Sequence, residues 1–205
     1  MKKYLILIAG SPATGKSYLI HEIKKVIPDI FMIAPDEVKE MLADSVGFNS
    51  LAEKSELEKR VWKFYYDVLE LYMSVGKRII LSEYPFSYKQ KSNLENLSKQ
   101  YDYEVITIRL IADFDILWER RQLRDVEETR HLSHIMTYYH FGDRLENRKF
   151  ADNLITKKDF QEIIKIRKYN EFQIGKLYEI DVSDYSTVDY TGLINELSGK
   201  VQSNE

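Results

Sequence analysis

The residues with the most explicit chemistry stand near the N-terminus: Gly10-Ser11-Pro12-Ala13-Thr14-Gly15-Lys16-Ser17. Their spacing, G-x-x-x-x-G-K-S, is that of a phosphate-binding loop of the Walker A type. Gly10 and Gly15 permit turns that a Cβ would block. Successive N–H groups, those of Ser11, Ala13 and Thr14 among them, can then point inward at phosphate oxygens. A helix starting at Lys16 adds its positive end to the same cradle. In such a loop the Lys16 amine reaches the β- and γ-phosphates of a nucleotide, and the Ser17 hydroxyl binds Mg²⁺. With average residue usage, a chance match in a chain of this size is on the order of one in a hundred.

Other groups able to do chemistry follow apolar runs, where an open α/β sheet places its ligands. Asp36 comes after the second run. It reads either as a helix cap or as a carboxylate that orients an acceptor hydroxyl and takes its proton. After the third run, Glu83 can hold an Mg²⁺-bound water or an acceptor, or merely mark a turn, while Tyr84 and Phe86 can wall a pocket. After the fourth, Asp113 is placed to cap a helix on which Arg120 and Arg124 lie four apart and share a face. Two guanidiniums on one face can clamp phosphates; they can equally form a solvated basic face with Glu119 or Glu127. Arg130 precedes a His131/His134 pair. No further ligand follows at metal spacing, so the pair reads as hydrogen-bonding and Arg130 as a further phosphate contact. Trp62, Tyr65, Leu69 and Tyr72 follow helical spacing and read as core. Tyr138 and Tyr139 read as packing, with base stacking as the alternative.

The elements that position these groups follow from periodicity. Short apolar runs predict strands near 3–9, 30–33, 77–82, 103–110 and 177–182. Helical spacing predicts helices near 16–27, 36–43, 51–75, 88–100, 113–124 and 189–198, with Gly76 ending the long third one. Alternation of the two argues for an α/β fold on a parallel sheet. The stretch 125–175, rich in charge and Tyr, reads as a helical lid and substrate-side region within one domain spanning 1–205. The tail ending at Glu205 is expected to fray. At 205 residues with 44% hydrophobic content, the chain can bury a sizeable core. Its net charge of −3, with signs mixed along the chain, gives no nucleic-acid signature. It has no cysteine, hence no disulfide framework. No apolar stretch approaches a membrane span, and a cytoplasmic location is expected.

Taken together, GSPATGKS after the first strand, Asp36 after the second, Arg120-x-x-x-Arg124 after the fourth and the Arg130-His131-x-x-His134 segment resemble the small P-loop kinases. The relatives in view are the kinase domain of polynucleotide kinase, chloramphenicol phosphotransferase and zeta toxin. The resemblance spans about residues 1–145 plus the last strand and helix. It implies a five-stranded parallel sheet in the order 2-3-1-4-5, flanked by helices. It implies ATP on Gly10 to Ser17, Asp36 as general base, and Arg120, Arg124 and Arg130 on the phosphates. Where many relatives carry Asp after the third strand, this chain has Ser82-Glu83. The expected activity is transfer of the ATP γ-phosphate to a hydroxyl of a small molecule or nucleoside. The alternatives are an ATPase switch, for which neither Leu81-Ser82-Glu83 nor Ile111-Ala112-Asp113 is a good Walker B, and a nucleotide-binding regulator.

Overall fold

The computed structural model describes residues 2–202. Its strands are β1 (Lys3–Gly10), β2 (Phe31–Ile33), β3 (Ile79–Glu83), β4 (Tyr103–Ile111) and β5 (Lys176–Asp181). Its helices are α1 (Lys16–Val26), α2 (Pro35–Val46), α3 (Leu51–Ser74), α4 (Tyr88–Gln100), α5 (Phe114–Asp125), α6 (Lys157–Arg167) and α7 (Thr191–Gln202). All strand pairs are parallel, and the order is β2-β3-β1-β4-β5, as the resemblance implies. The fold is the α/β P-loop type, a five-stranded parallel sheet with helices on both faces.

The apolar run of β1 is buried from Tyr4 onward because both its faces are covered. Tyr4, Ile6 and Ile8 enter one core with Leu19 and Ile23 of α1 and Leu197 of α7. Leu5, Leu7 and Ala9 enter the other with Val61, Tyr65 and Leu69 of α3 and Leu94 of α4. Each fully buried Leu or Ile contributes about 1.5–3 kcal/mol. This double burial fixes the register of the strand that carries the glycine loop. Inside the second core the Tyr65 hydroxyl and Ser82 Oγ satisfy each other at 2.8 Å.

Local signals set the helix ends. Ser50 caps α3 by accepting from Glu53 N, and Ser87 with Gln90 forms a capping box on α4. After α3, Gly76 N–H donates to Met73 O and Lys77 N–H to Tyr72 O, the paired closing bonds of a Schellman motif. Two expected caps differ. Asp36 lies inside the first turn of α2, whose cap position is Ala34, with Pro35 opening the helix. Asp113 caps α5 by position only; its side chain makes no capping bond.

The stretch 125–175 is less helical than expected. It holds α6 and short 3₁₀ turns at Leu132–His134, Arg148–Phe150 and Tyr169–Glu171. Its order comes from a third apolar cluster in place of helical periodicity. Leu132, Ile135, Met136 and Tyr139 pack on Ala43 of α2, Phe48, and Leu57 of α3. Phe48 and Tyr139 also exchange both backbone hydrogen bonds at 2.8 Å. Tyr139 is thus packing, while Tyr138 is half exposed. Among the described residues no helix is long and apolar enough to cross a membrane. The tail at Glu205 lies outside the described residues.

Candidate active site

The site is assembled at the carboxyl ends of β1, β3 and β4. Gly10 has φ +128°, and a Cβ built there would stand 2.2 Å from the Leu110 carbonyl oxygen. Only glycine lets the loop leave β1 this close to β4. Ala13 and Gly15 are also left-handed, and the Thr14 hydroxyl donates to Ser11 O at 2.9 Å, closing the loop on itself. Lys16 opens α1. Its amine, nearly buried, donates to Gly10 O at 3.2 Å and Ser11 O at 3.1 Å. Burial lowers this amine to about 8, with Glu83 opposing and Arg124 reinforcing the shift. Ser17 Oγ donates to the Glu83 carboxylate at 3.2 and 3.3 Å. Burial raises Glu83, against the pull of Lys16 and the Ser17 hydroxyl.

Across the crevice, α2 presents Asp36, Glu40 and Asp44 at four-residue intervals on one face. Lys39 Nζ donates to Asp36 at 3.1 Å and to the Tyr84 hydroxyl at 2.9 Å, and lies over the Tyr84 ring at 4.7 Å. Burial pushes the Asp36 carboxyl up, but Lys39, His134 and Arg130 outweigh it and hold the group below the usual carboxylate range. Burial likewise pulls on Lys39, and Asp36, Tyr84 and Glu58 more than reverse it. His134 Nε2 stands 2.7 Å from Glu40, and His131 Nε2 stands 3.1 Å from Asp44. Both histidines therefore engage carboxylates of α2. Burial lowers His134 although Glu40 opposes it.

The third group is an arginine cluster around Asp125, whose side chain is only 5% exposed. Arg121 Nε donates to it at 2.5 Å, Arg124 at 3.4 Å, and Arg130 Nε lies 3.8 Å away. The Nε atoms of Arg124 and Arg130 are buried without a hydrogen-bond partner. Burial and mutual repulsion lower both guanidiniums, Arg130 to about 10. Arg120 goes elsewhere. It donates to Val182 O and Ser183 O at 2.8 Å each and stacks on Tyr185 at 3.6 Å. The expected Arg120/Arg124 pair is thereby split. Carbonyls beyond β5 hold Arg120, and the buried Asp125 gathers Arg121, Arg124 and Arg130 instead.

Two cavities flank this charged centre. One of about 480 Å³ lies against Gly15, Tyr18, Tyr185 and Tyr190 on the α1/α7 side. The other, about 400 Å³, is walled by Trp62, Tyr66, Tyr84 and Tyr169 on the α3/α4 side. Tyr84 therefore lines a pocket as expected, while Phe86 is fully buried against Phe172.

The residues present fit a nucleotide triphosphate with Mg²⁺. The loop is a cradle that a Cβ would fill, Ser11 Oγ and two arginine Nε atoms are buried without a hydrogen bond, and Ser17 with Glu83 supplies hard oxygen donors. Among the described residues no group of three His, Cys, Asp or Glu could hold a metal alone, so the fit is to a cation shared with phosphate oxygens. Lys39, Arg121, Glu40 and Asp125 escaped sequence reasoning. The 36/40/44 spacing opposite His131 and His134 was the available signal for part of this set.

Comparison with solved structures shows the same fold. A proposed kinase from Chloroflexus aurantiacus j-10-fl superposes with TM-score 0.73 at 19% identity, covering 96% of this chain and 97% of that one. The tunicamycin resistance protein of Deinococcus radiodurans gives 0.55 at 17% identity, covering 98% and 96%. Shikimate kinase from Acinetobacter baumannii, solved with shikimate, gives 0.53 at 14% identity, covering 100% and 96%. No curated protein matches the sequence. A family described as an AAA domain matches residues 5–138. With that match running from β1 through the arginine-bearing α5 to the edge of the third cluster, the chain belongs to this AAA-domain family.

Proposed function

We propose that the protein is an ATP-dependent phosphotransferase, carried by a single domain, that moves the γ-phosphate to a hydroxyl of a small molecule. One observation carries this reading. Lys16, Ser17 and Glu83 face Asp36 across a crevice bordered by Arg124 and Arg130, whose Nε–H groups make no hydrogen bond. A site needing only hydrolysis has no use for a second cavity tied to the carboxylate through Tyr84 and Lys39. The resemblance to small P-loop kinases and the fold shared with shikimate kinase support the same reading.

In this mechanism the loop N–H groups and Lys16 bind and orient the phosphates. Lys16 leaves the Gly10 and Ser11 carbonyls for the incoming anion, which restores the proton that burial disfavours. Ser17 and Glu83 would hold Mg²⁺, which when bound neutralises phosphate charge. Asp36 is a weak base, because its neighbours keep it ionised. Its contribution is to accept a hydrogen bond from the acceptor hydroxyl and aim that oxygen in line, which suffices for a loose phosphoryl-transfer transition state. Arg124 and Arg130 face charge that develops on the transferred group. Tyr18, Tyr185 and Tyr190 wall the side on which the base would lie.

The AAA-domain description favours a second reading, an ATPase that drives conformational change. One experiment separates them. The protein is incubated with γ-labelled ATP and a panel of hydroxyl compounds. Phosphotransferase action puts label on one acceptor, and Asp36→Asn abolishes this while ATP affinity stays within about threefold. Label appearing only in inorganic phosphate, unchanged in Asp36→Asn, would favour the ATPase.

A further inference from the structure

The second cavity, walled by Trp62, Tyr66, Tyr84 and Tyr169, has a composition that selects its occupant. Trp62 meets Tyr84 edge-on at 5.0 Å and Tyr66 at 5.8 Å. These rings offer faces for a planar ring, and Ser87, Gln90 and Asn93 of the same cavity offer it hydrogen bonds. Its inner end is Tyr84, whose hydroxyl is tied through Lys39 to Asp36. A ring held against Tyr84 is therefore two hydrogen bonds from Asp36.

The charges lining the cavity are unbalanced. Lys59 is paired with Glu56 at 2.5 Å. Glu58 acts on Lys39 and Lys54. Lys89 and Arg167 have no carboxylate partner among the described residues, although both line the cavity. They come from separate elements, Lys89 from the first turn of α4 and Arg167 from the end of α6. Two unpaired cations converging on one aromatic cavity, with the positive end of α4 beside them, fit an anion.

We propose that the acceptor is a planar-ring alcohol that also carries a carboxylate or phosphate. Its ring lies against Trp62 and Tyr66, its anionic group sits between Lys89 and Arg167, and its hydroxyl points past Tyr84 to Asp36. The assignment of this ligand as acceptor rests on the phosphotransferase reading. The acceptor oxygen forms a bond to the γ-phosphorus as the bond to the bridging oxygen breaks. The electron pair leaves with ADP, and the hydroxyl proton, held in its hydrogen bond to Asp36 until the oxygen is phosphorylated, is then released to solvent.

The test uses the full chain with Trp118→Phe, which leaves Trp62 as the sole tryptophan of the two present. Its fluorescence is titrated with benzyl alcohol, para-hydroxymethylbenzoate and para-hydroxymethylphenyl phosphate. Calorimetry on the unmodified chain repeats the series, and ATP binding is measured separately. One charge-assisted contact corresponds to about tenfold in affinity, so one or both anions should bind at least about tenfold tighter than the neutral alcohol. The stronger of the two anions identifies the group as carboxylate or phosphate. In Lys89→Ala/Arg167→Ala the preference should fall below about threefold, with ATP affinity unchanged. Equal binding of all three ligands, no binding of any, or a preference that survives the double substitution would overturn the proposal. Absence of ATP binding by the unmodified chain, with its anion preference intact, would instead overturn the phosphotransferase reading and leave the anion site standing.

Discussion

Asp125 is the residue whose removal the structure prices most directly. Its carboxylate is the shared negative charge for Arg121, Arg124 and Arg130, at 2.5, 3.4 and 3.8 Å. The three arginine side chains are 17, 32 and 16% exposed, so water screens them poorly. Asp125→Asn keeps the volume and deletes the charge, leaving three partly buried cations to repel one another. Breaking a buried pair by removing one partner costs about 3–5 kcal/mol. In a chain of this size that lowers the melting temperature by about 6–20 °C. The assay is thermal and urea unfolding of both proteins at low salt. A second substitution, Arg121→Met, should return about 1 kcal/mol or more to the Asp125→Asn protein, because it removes one of the repelling charges. A loss below about 1 kcal/mol, or further destabilisation by Arg121→Met, would refute the reasoning.

Four further outcomes follow from the geometry of the loop and the core. Lys16 is lowered to about 8 in the fold, below its ordinary 10.5, so its protonated form is disfavoured there and folding stability should rise as pH increases between those values. ATP should restore the proton: calorimetry in two buffers should show clear proton uptake at pH 9 and much less at pH 7, and no buffer dependence at pH 9 would contradict this. Gly10→Ala forces a Cβ against the Leu110 carbonyl at a left-handed φ and should cost about 3 kcal/mol or more, read by urea unfolding. Tyr65→Phe strands Ser82 in the core and should cost about 1–2 kcal/mol with ATP affinity unaltered, so a change in affinity alone would argue against a purely structural hydroxyl.

The glycine loop was readable because its chemistry is backbone chemistry, and glycine spacing writes backbone geometry into the chain. Strand order needed the resemblance, since an apolar run such as β4 names no neighbour. Helical spacing correctly puts Arg120 and Arg124 on one face, yet the two side chains part company. Val182 and Ser183, tertiary neighbours that local periodicity does not encode, take Arg120, while Asp125, the next residue in the chain, holds Arg124. Lys39 was invisible for the same reason, as it matters through Tyr84, forty-five positions away. The 125–175 stretch misled because its order comes from scattered apolar anchors such as Ile135 and Tyr139, without a repeat.

The third apolar cluster has a consequence for how such a protein diversifies. It welds α2, with Asp36, Glu40 and Asp44, to the segment carrying His131 and His134, and it shares almost no side chains with the two cores that hold the glycine loop. Substitutions in this cluster, beneath Asp36 and the two histidines, can therefore accumulate without loosening the two cores that hold the glycine loop. A chain built this way can vary the carboxylates and histidines that face its loop while keeping the loop itself unchanged.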